Sequence, residues 1–327
     1  MKILITGASG FVGTELARKL LGRGHMLGNA VTALTLADLH LPAAALATDP
    51  RVTVRTGSLL DLVPAFAAER FDLVFHLAGA VSAECEASFE LGMSSNLDST
   101  RALLDALRAA GNTPRLVFSS SVAVFGGDAG LPLPAVITDA TLPVPQSSYG
   151  IQKFIAEQLV ADYTRKGFID GRSGRLMTVV VRAGKPNGAA SSFLSSIVRE
   201  PLSGQEAVCP VPLEMPVALA SPKNTIAALI TLAEAERDQL GGRTAINFPA
   251  LTVRVGDILD ALEAMGGKAA RALVRAERDA AIENIVGSWP SRIESVRASA
   301  LGLEADKDML SIVRQFVEHT KTDATKA

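Results

Sequence analysis

The chain has 327 residues, 48% hydrophobic and 20% charged, with a formal net charge of −2. That is enough for one large α/β domain, or a domain with a smaller lobe, and gives no electrostatic reason to expect nucleic acid or an acidic membrane as partner. No run approaches the ~18 uninterrupted apolar residues of a membrane span.

The first predicted strand, Lys2 to Thr6, starts almost at the N terminus, with no charged leader before it, which points to a cytoplasmic protein without a secretory signal. Gly7-Ala8-Ser9-Gly10-Phe11-Val12-Gly13 follows, then a helix over Phe11 to Leu21. Glycine fits where a turn is tight and where backbone must approach a pyrophosphate. A helix N terminus then offers N–H groups and a positive dipole end to phosphates. The second strand, Val31 to Ala37, leads to Asp38. A carboxylate there either accepts hydrogen bonds from an adenosine ribose or is a solvated strand-end charge. In the first case it would repel a 2′-phosphate, and Leu39 and His40 bring no Lys or Arg to neutralise one, so NAD is favoured over NADP.

The third strand spans Val52 to Thr56, and Gly57-Ser58-Leu59 after it could line an adenine. A helix over Leu60 to Ala68 and a fourth strand, Leu73 to Leu77, come next. Small residues continue through Ala78, Gly79 and Ala80, where backbone can run beside a cofactor, and Ser82 follows as a candidate for substrate hydroxyls. One long helix is predicted over Ala83 to Ala110; its Asn96, counted among the cofactor-binding candidates, is either a buried helix-bending group or an anchor for the active-site strand. The fifth strand, Arg115 to Ser119, runs into Ser119-Ser120-Ser121. In the helix Tyr149 to Lys166, Tyr149 and Lys153 are four apart and so share a face. A cation beside a phenol favours the phenolate, so Lys153 is expected to bring Tyr149 toward the range of a general base. The sixth strand is predicted at Met177 to Arg182.

Apolar strands alternating with helices imply a doubly wound parallel sheet, a Rossmann arrangement, with ligands at the carboxyl ends of the strands. After Arg182 prolines break up the pattern, and helices resume at Lys223 to Glu236, Val255 to Met265 and Lys307 to His319. The expected division is residues 1–182 with 217–248 as the dinucleotide-binding domain and 183–216 with 249–327 as a substrate lobe. Cys85 and Cys209 have neither metal-binding nor redox spacing and are expected as reduced thiols; no metal is expected. Trp289, the only tryptophan, is expected to pack within the lobe.

Together, Gly7-x-x-Gly10-x-x-Gly13, Asp38, His76-Leu77-Ala78-Gly79, Asn96, Ser119-Ser120-Ser121 and Tyr149-x-x-x-Lys153 resemble the extended short-chain dehydrogenase/reductase family over roughly residues 1–185. The resemblance implies a catalytic triad of Ser121, Tyr149 and Lys153, with Lys153 also holding the nicotinamide ribose. It also implies that Arg182-Ala183-Gly184-Lys185-Pro186-Asn187 passes the nicotinamide, with Ala183 and Lys185 as contacts. That segment lacks the aromatic–aromatic–Asn run of nucleotide-sugar epimerases, and no Asp-Glu pair follows the catalytic serine as in sugar-nucleotide dehydratases. With Ala190-Ser191-Ser192-Phe193 and Arg199-Glu200-Pro201-Leu202 it looks most like the D-erythronate dehydrogenase group, NAD-dependent oxidisers of a four-carbon sugar acid. Such a substrate needs a cation for its carboxylate. Lys185 and Arg199 are the candidates, with Ser82 and Ser192 for substrate hydroxyls. The alternatives are an NDP-sugar 4-epimerase and a non-catalytic cofactor-sensing regulator; a two-fold dimer is the expected assembly.

Overall fold

A computed structural model describes residues 1–184 and 189–326. Its centre is a seven-stranded parallel sheet: β1 (Lys2–Thr6), β2 (Ala33–Asp38), β3 (Val52–Thr56), β4 (Leu73–His76), β5 (Arg115–Ser121), β6 (Asp170–Leu176) and β7 (Ile246–Asn247), in the spatial order β7-β6-β5-β4-β1-β2-β3. The chain winds outward in both directions from β1, so the order reverses between β1 and β4 and leaves a crevice above their carboxyl ends.

Side-chain alternation divides the sheet between two layers of helices. Ile3 and Ile5 of β1 face α1 (Phe11–Arg23), packing with its Leu16 and Leu20 and with Leu229 and Leu232 of α6 (Pro222–Glu234), the sixth of the helices named here. Leu4 faces the other way, with Phe66 of α2 (Leu59–Glu69), Leu103 and Leu107 of α3 (Ser99–Ala110) and Val160 of α4 (Ser148–Arg165). A further core joins α5 (Phe193–Leu202), α7 (Val255–Ala272) and the start of α8 (Met309–Lys326) with Val217 and Leu219. Those two residues were assigned by sequence to the dinucleotide domain, whereas Ala298 and Leu303, assigned to the lobe, pack into the sheet's core.

Two expected elements differ. The sixth strand lies at Asp170–Leu176, and within Met177 to Arg182 only Thr178–Val179 is a strand, in a separate three-stranded sheet. The sequence Asp-Gly-Arg-Ser-Gly-Arg-Leu hides a buried strand because its arginines are compensated: Arg172 pairs with Asp170 and Arg175 with Glu157. Its glycines leave no apolar signal, yet a Cβ at Gly174 would stand 2.4 Å from the Phe248 ring. The long helix expected over Ala83 to Ala110 is broken into Ser82–Ala87, Phe89–Gly92, a π-helical turn Met93–Asp98 and α3. Ser88 starts the second piece by accepting a hydrogen bond from the Leu91 N–H.

Candidate active site

A cleft of about 680 Å³ opens at the carboxyl edge of the sheet, between the glycine loop and the lobe. Gly7 has φ +72°, and a Cβ on it would lie 2.6 Å from the Ala78 nitrogen; one on Gly13 would lie 2.2 Å from the Gly7 carbonyl oxygen. The loop is therefore pressed between the exit of β4 and the first turn of α1, where a larger residue would move backbone. Gly10 caps α1 without a side-chain hydrogen bond, and no acidic residue occupies the first turn. The opening N–H groups at Phe11, Val12 and Gly13 thus face the cleft with no side-chain cap, an arrangement that fits a pyrophosphate. Asp38 accepts from the Ser9 N–H and the His40 N–H, both at 3.0 Å. Each carboxylate oxygen keeps acceptor capacity for a ribose hydroxyl. Ser58 and Leu59, at the start of α2, line the same end.

Ser121, Tyr149 and Lys153 meet at the other end. Ser147 Oγ accepts from the Gly150 N–H at 3.1 Å and starts α4 immediately before the tyrosine. A Cβ at Gly150 would stand 2.2 Å from the Ala123 carbonyl oxygen, so this glycine lets the helix start come close to the end of β5. Lys153 is 4% exposed; its Nζ donates to the Ser119 carbonyl at 2.9 Å and lies 4.9 Å from the Phe118 ring centroid and 5.7 Å from that of Tyr149.

Burial dominates the charges here. It pushes the Tyr149 phenol up to about 12, against the neighbouring Ser121 hydroxyl, which acts to lower it. It draws the Lys153 ammonium down to about 8, with opposition from Cys85 and Glu157. Desolvation of the phenolate is the largest influence on this phenol, which stands above its ordinary value rather than below it. His76 falls to about 3 through burial and the nearby Lys153. It is a neutral pin between the Thr6 and Thr100 hydroxyls, at 2.7 and 2.8 Å.

Leu77, Ala78, Ala80 and Ser82 also line the cleft. Asn96 does not. It is 2% exposed behind the wall and donates to the Ala80 carbonyl at 3.2 Å and Gln152 Oε1 at 2.8 Å, which makes it the anchor of the loop after β4 rather than a cofactor contact. Ala183, Ser192 and Arg199 lie off the lining as well, and Lys185 falls outside the described residues. Arg199 donates to the Arg182 carbonyl at 2.8 Å and pairs with Glu200 at 2.6 Å, so its charge is spent within the lobe.

Among the described residues, Arg182 is an arginine that lines the cleft; sequence reading placed it at the end of a strand and at the head of the segment past the nicotinamide, but not as a substrate cation. Its pKa is lowered by burial and by the positive charge of Arg199 beside it. Ser94, Ser95, Thr178 and Val179 were missed too, and Trp289, expected only in lobe packing, lines the cleft while also packing against the lobe core. The broken helix and the displaced sixth strand deliver most of these, and neither has a local sequence signal.

Comparison with known proteins agrees with this arrangement. The model of the NAD dependent epimerase/dehydratase family matches residues 3–235. A protein named D-erythronate dehydrogenase from Cupriavidus necator is 47% identical, over 97% of this chain and 98% of its own. Another of that name from Haemophilus influenzae is 41% identical, over 98% and 99%. The crystal structure of the nucleoside-diphosphate-sugar epimerase from Agrobacterium tumefaciens is 40% identical and has a TM-score of 0.90, over 97% of this chain and 94% of that one.

Proposed function

This chain belongs to the NAD dependent epimerase/dehydratase family, an enzyme family built around a nicotinamide dinucleotide, and on that premise we propose that it oxidises a hydroxyl of a short sugar acid, D-erythronate to 2-oxo-erythronate, with NAD as acceptor. The observation that carries the reading is that Ser121, Tyr149, Lys153 and Arg182 line one cleft. The first three are the parts of a proton-transfer centre, and the fourth suits a carboxylate. The two relatives named D-erythronate dehydrogenase support the choice of acid.

The uncapped start of α1 and the glycine loop would hold the cofactor's pyrophosphate, Asp38 its adenosine ribose and Lys153 its nicotinamide ribose. When bound, NAD supplies the hydride acceptor. Ser121 hydrogen-bonds the reacting oxygen and orients it, and Tyr149 takes the hydroxyl proton. Lys153 opposes the burial of the phenolate, and Arg182 fixes the acid so that the reacting carbon has one orientation. Asp38 carries the preference for NAD over NADP, since its charge repels a 2′-phosphate.

A second reading, an NDP-sugar epimerase, is favoured by the likeness to the Agrobacterium structure. Against it, the cleft runs from Ser58 to Trp289 and has to take the whole dinucleotide, so the share beside Tyr149 suits a four-carbon acid better than a second nucleotide. Purified protein with NAD and D-erythronate should generate NADH, and Tyr149→Phe should lose about 10²–10⁴ of the rate while remaining folded. Interconversion of a UDP-sugar with no net NADH would move the assignment to the epimerase.

The same reading includes a two-fold dimer and a cytoplasmic setting. Ile151 and Ile155 on α4 are 45% and 39% exposed, and Phe89 and Leu91 on the adjoining short helix 58% and 45%, an apolar patch of the kind that pairs with its own copy. Cys85 and Cys209 are free and buried, and no described helix is long and apolar enough to cross a membrane.

A further inference from the structure

Of three consecutive serines at the end of β5, the first two are held by one helix. Lys153 Nζ donates to the Ser119 carbonyl at 2.9 Å, Ser120 Oγ donates to Glu157 Oε1 at 2.5 Å, and Ser121, whose Oγ accepts from the Ala123 N–H at 3.1 Å, lines the cleft with Tyr149. Tyr149, Lys153 and Glu157 follow at four-residue steps along α4, and so lie along one side of it. This stretch of β5 needs bracing, because its ladder with β4 ends at His76–Phe118 and residues 119–121 pair with β6 alone.

Glu157 is itself fixed. It is 2% exposed, as is Ser120, and Arg175 grips both of its oxygens, Nε to Oε1 at 2.9 Å and Nη2 to Oε2 at 2.7 Å. Arg175 also donates to Asn247 Oδ1 at 3.1 Å, reaching β7, and lies 4.7 Å from the Phe125 ring. Glu157 does not line the cleft, so it cannot touch substrate there.

We propose that Glu157 is a positioning residue for proton transfer: braced by Arg175 and bonded to Ser120, it fixes the end of β5 against α4 so that the Ser121 hydroxyl is kept in place beside Tyr149 in the cleft. The proposal rests on Tyr149 and Ser121 having the roles assigned above. A hydrogen bond to an ionised acceptor is roughly twice as strong as a neutral one, which suits it to hold a strand end that has lost one neighbour. The groups facing the reacting pair are Ser121 from β5 and Cys85 from the Ser82–Ala87 helix toward Tyr149. His76 from β4, Cys85 and Glu157 face Lys153. At neutral pH the thiol of Cys85 is uncharged, its pKa being raised by burial, so Glu157 is the anion acting on Lys153.

The test is Ser120→Ala, which cuts the clamp while leaving the buried Glu157–Arg175 pair whole. The expected result is a kcat lower by about tenfold, equivalent to one hydrogen bond's worth of misalignment, with KM for the cofactor within about threefold. The acidic limb of the kcat profile, where Tyr149 must be deprotonated to act as base, should move up by about half to one pH unit as Ser121 moves away from Tyr149. A readout independent of turnover is available because the chain has two tyrosines. In a Tyr163→Phe background, isotope-labelled tyrosine gives one NMR resonance, that of Tyr149, and Ser120→Ala should shift it in the free protein. Glu157→Gln should act in the same direction. Parental kcat with an unmoved resonance overturns the proposal, and so does a loss of kcat matched by weaker cofactor binding with that resonance unmoved. Full turnover by Tyr149→Phe would instead remove the catalytic reading on which the proposal stands.

Discussion

Lys153 keeps an ammonium group at 4% exposure, and burial takes it from 10.5 to about 8. At pH 7 both folded and unfolded chains carry the proton, so the folded state bears a desolvation penalty on the order of 3 kcal/mol. Between about pH 8 and 10.5 the native protein releases its proton before the unfolded chain does, and this group's contribution to stability rises with pH across that window. Tyr149 has the opposite sign above pH 10, because its folded value of about 12 exceeds the ordinary value of 10.0. Lys153→Met should therefore abolish turnover while stabilising the protein at pH 7 by ~1–3 kcal/mol, read from urea unfolding. For Arg182, Arg182→Met should raise KM for the acid by about 10–150-fold, the worth of a charged hydrogen bond, and leave a neutral polyol of equal length unaffected. The cleft positions of the glycines, Asp38, Tyr149 and Lys153 were legible in the sequence because each depends on a fixed local spacing or a place at a strand end. Arg182 was not, because only the tertiary path of residues 177–182 brings it to the cleft while Arg199 turns inward.

Among the elements, β6 shows most clearly how a strand can be invisible to pattern reading. Arg172 is 3% exposed, pairs with Asp170, and donates to the carbonyls of Ala235 at 2.7 Å and Leu232 at 3.2 Å, where α6 ends. Arg115 reaches the Ala233 carbonyl at 2.8 Å and Arg237 bonds Asp170, so guanidinium groups gather at the negative end of a helix. Burial works to raise the Asp170 carboxyl, but the Arg172 and Arg237 charges outweigh it and leave it lowered. Its contribution is present above the usual carboxylate range and is lost as pH falls through the folded value. Arg172→Met should destabilise by ~3–5 kcal/mol, the effect of breaking a buried pair, with KM for both substrates unchanged in the folded fraction. The π-helical turn Met93–Asp98 escaped sequence reading for a related reason: an extra residue in a helical turn leaves hydrophobic spacing nearly intact, yet it brings Ser94 and Ser95 to the cleft and Asn96 behind it.

At the scale of the molecule, the order of strands and helices and the placement of the cleft were legible, since five of the sheet's seven strands were found close to their places and β1, with α1 behind it, dictates where the order reverses. The lobe was legible only as helices. Its strands Pro216–Ala220 and Leu251–Arg254 are short, lie among prolines, and gain their burial from partners distant in sequence. The apolar patch on α4 carries the assembly prediction. Ile151→Asp with Ile155→Asp should convert a dimer into a monomer in light scattering without loss of fold, and a parent protein that is already monomeric would overturn it.

Trp289 stands in the wall of the cleft and is the chain's single indole. Its emission therefore reports from one place only, beside the ligand site, with no background from elsewhere in the protein. Reduced nicotinamide absorbs where indole emits, so NADH in the cleft should dim that light by energy transfer far more than NAD does. The protein thus carries its own optical gauge of which redox form of the dinucleotide it holds.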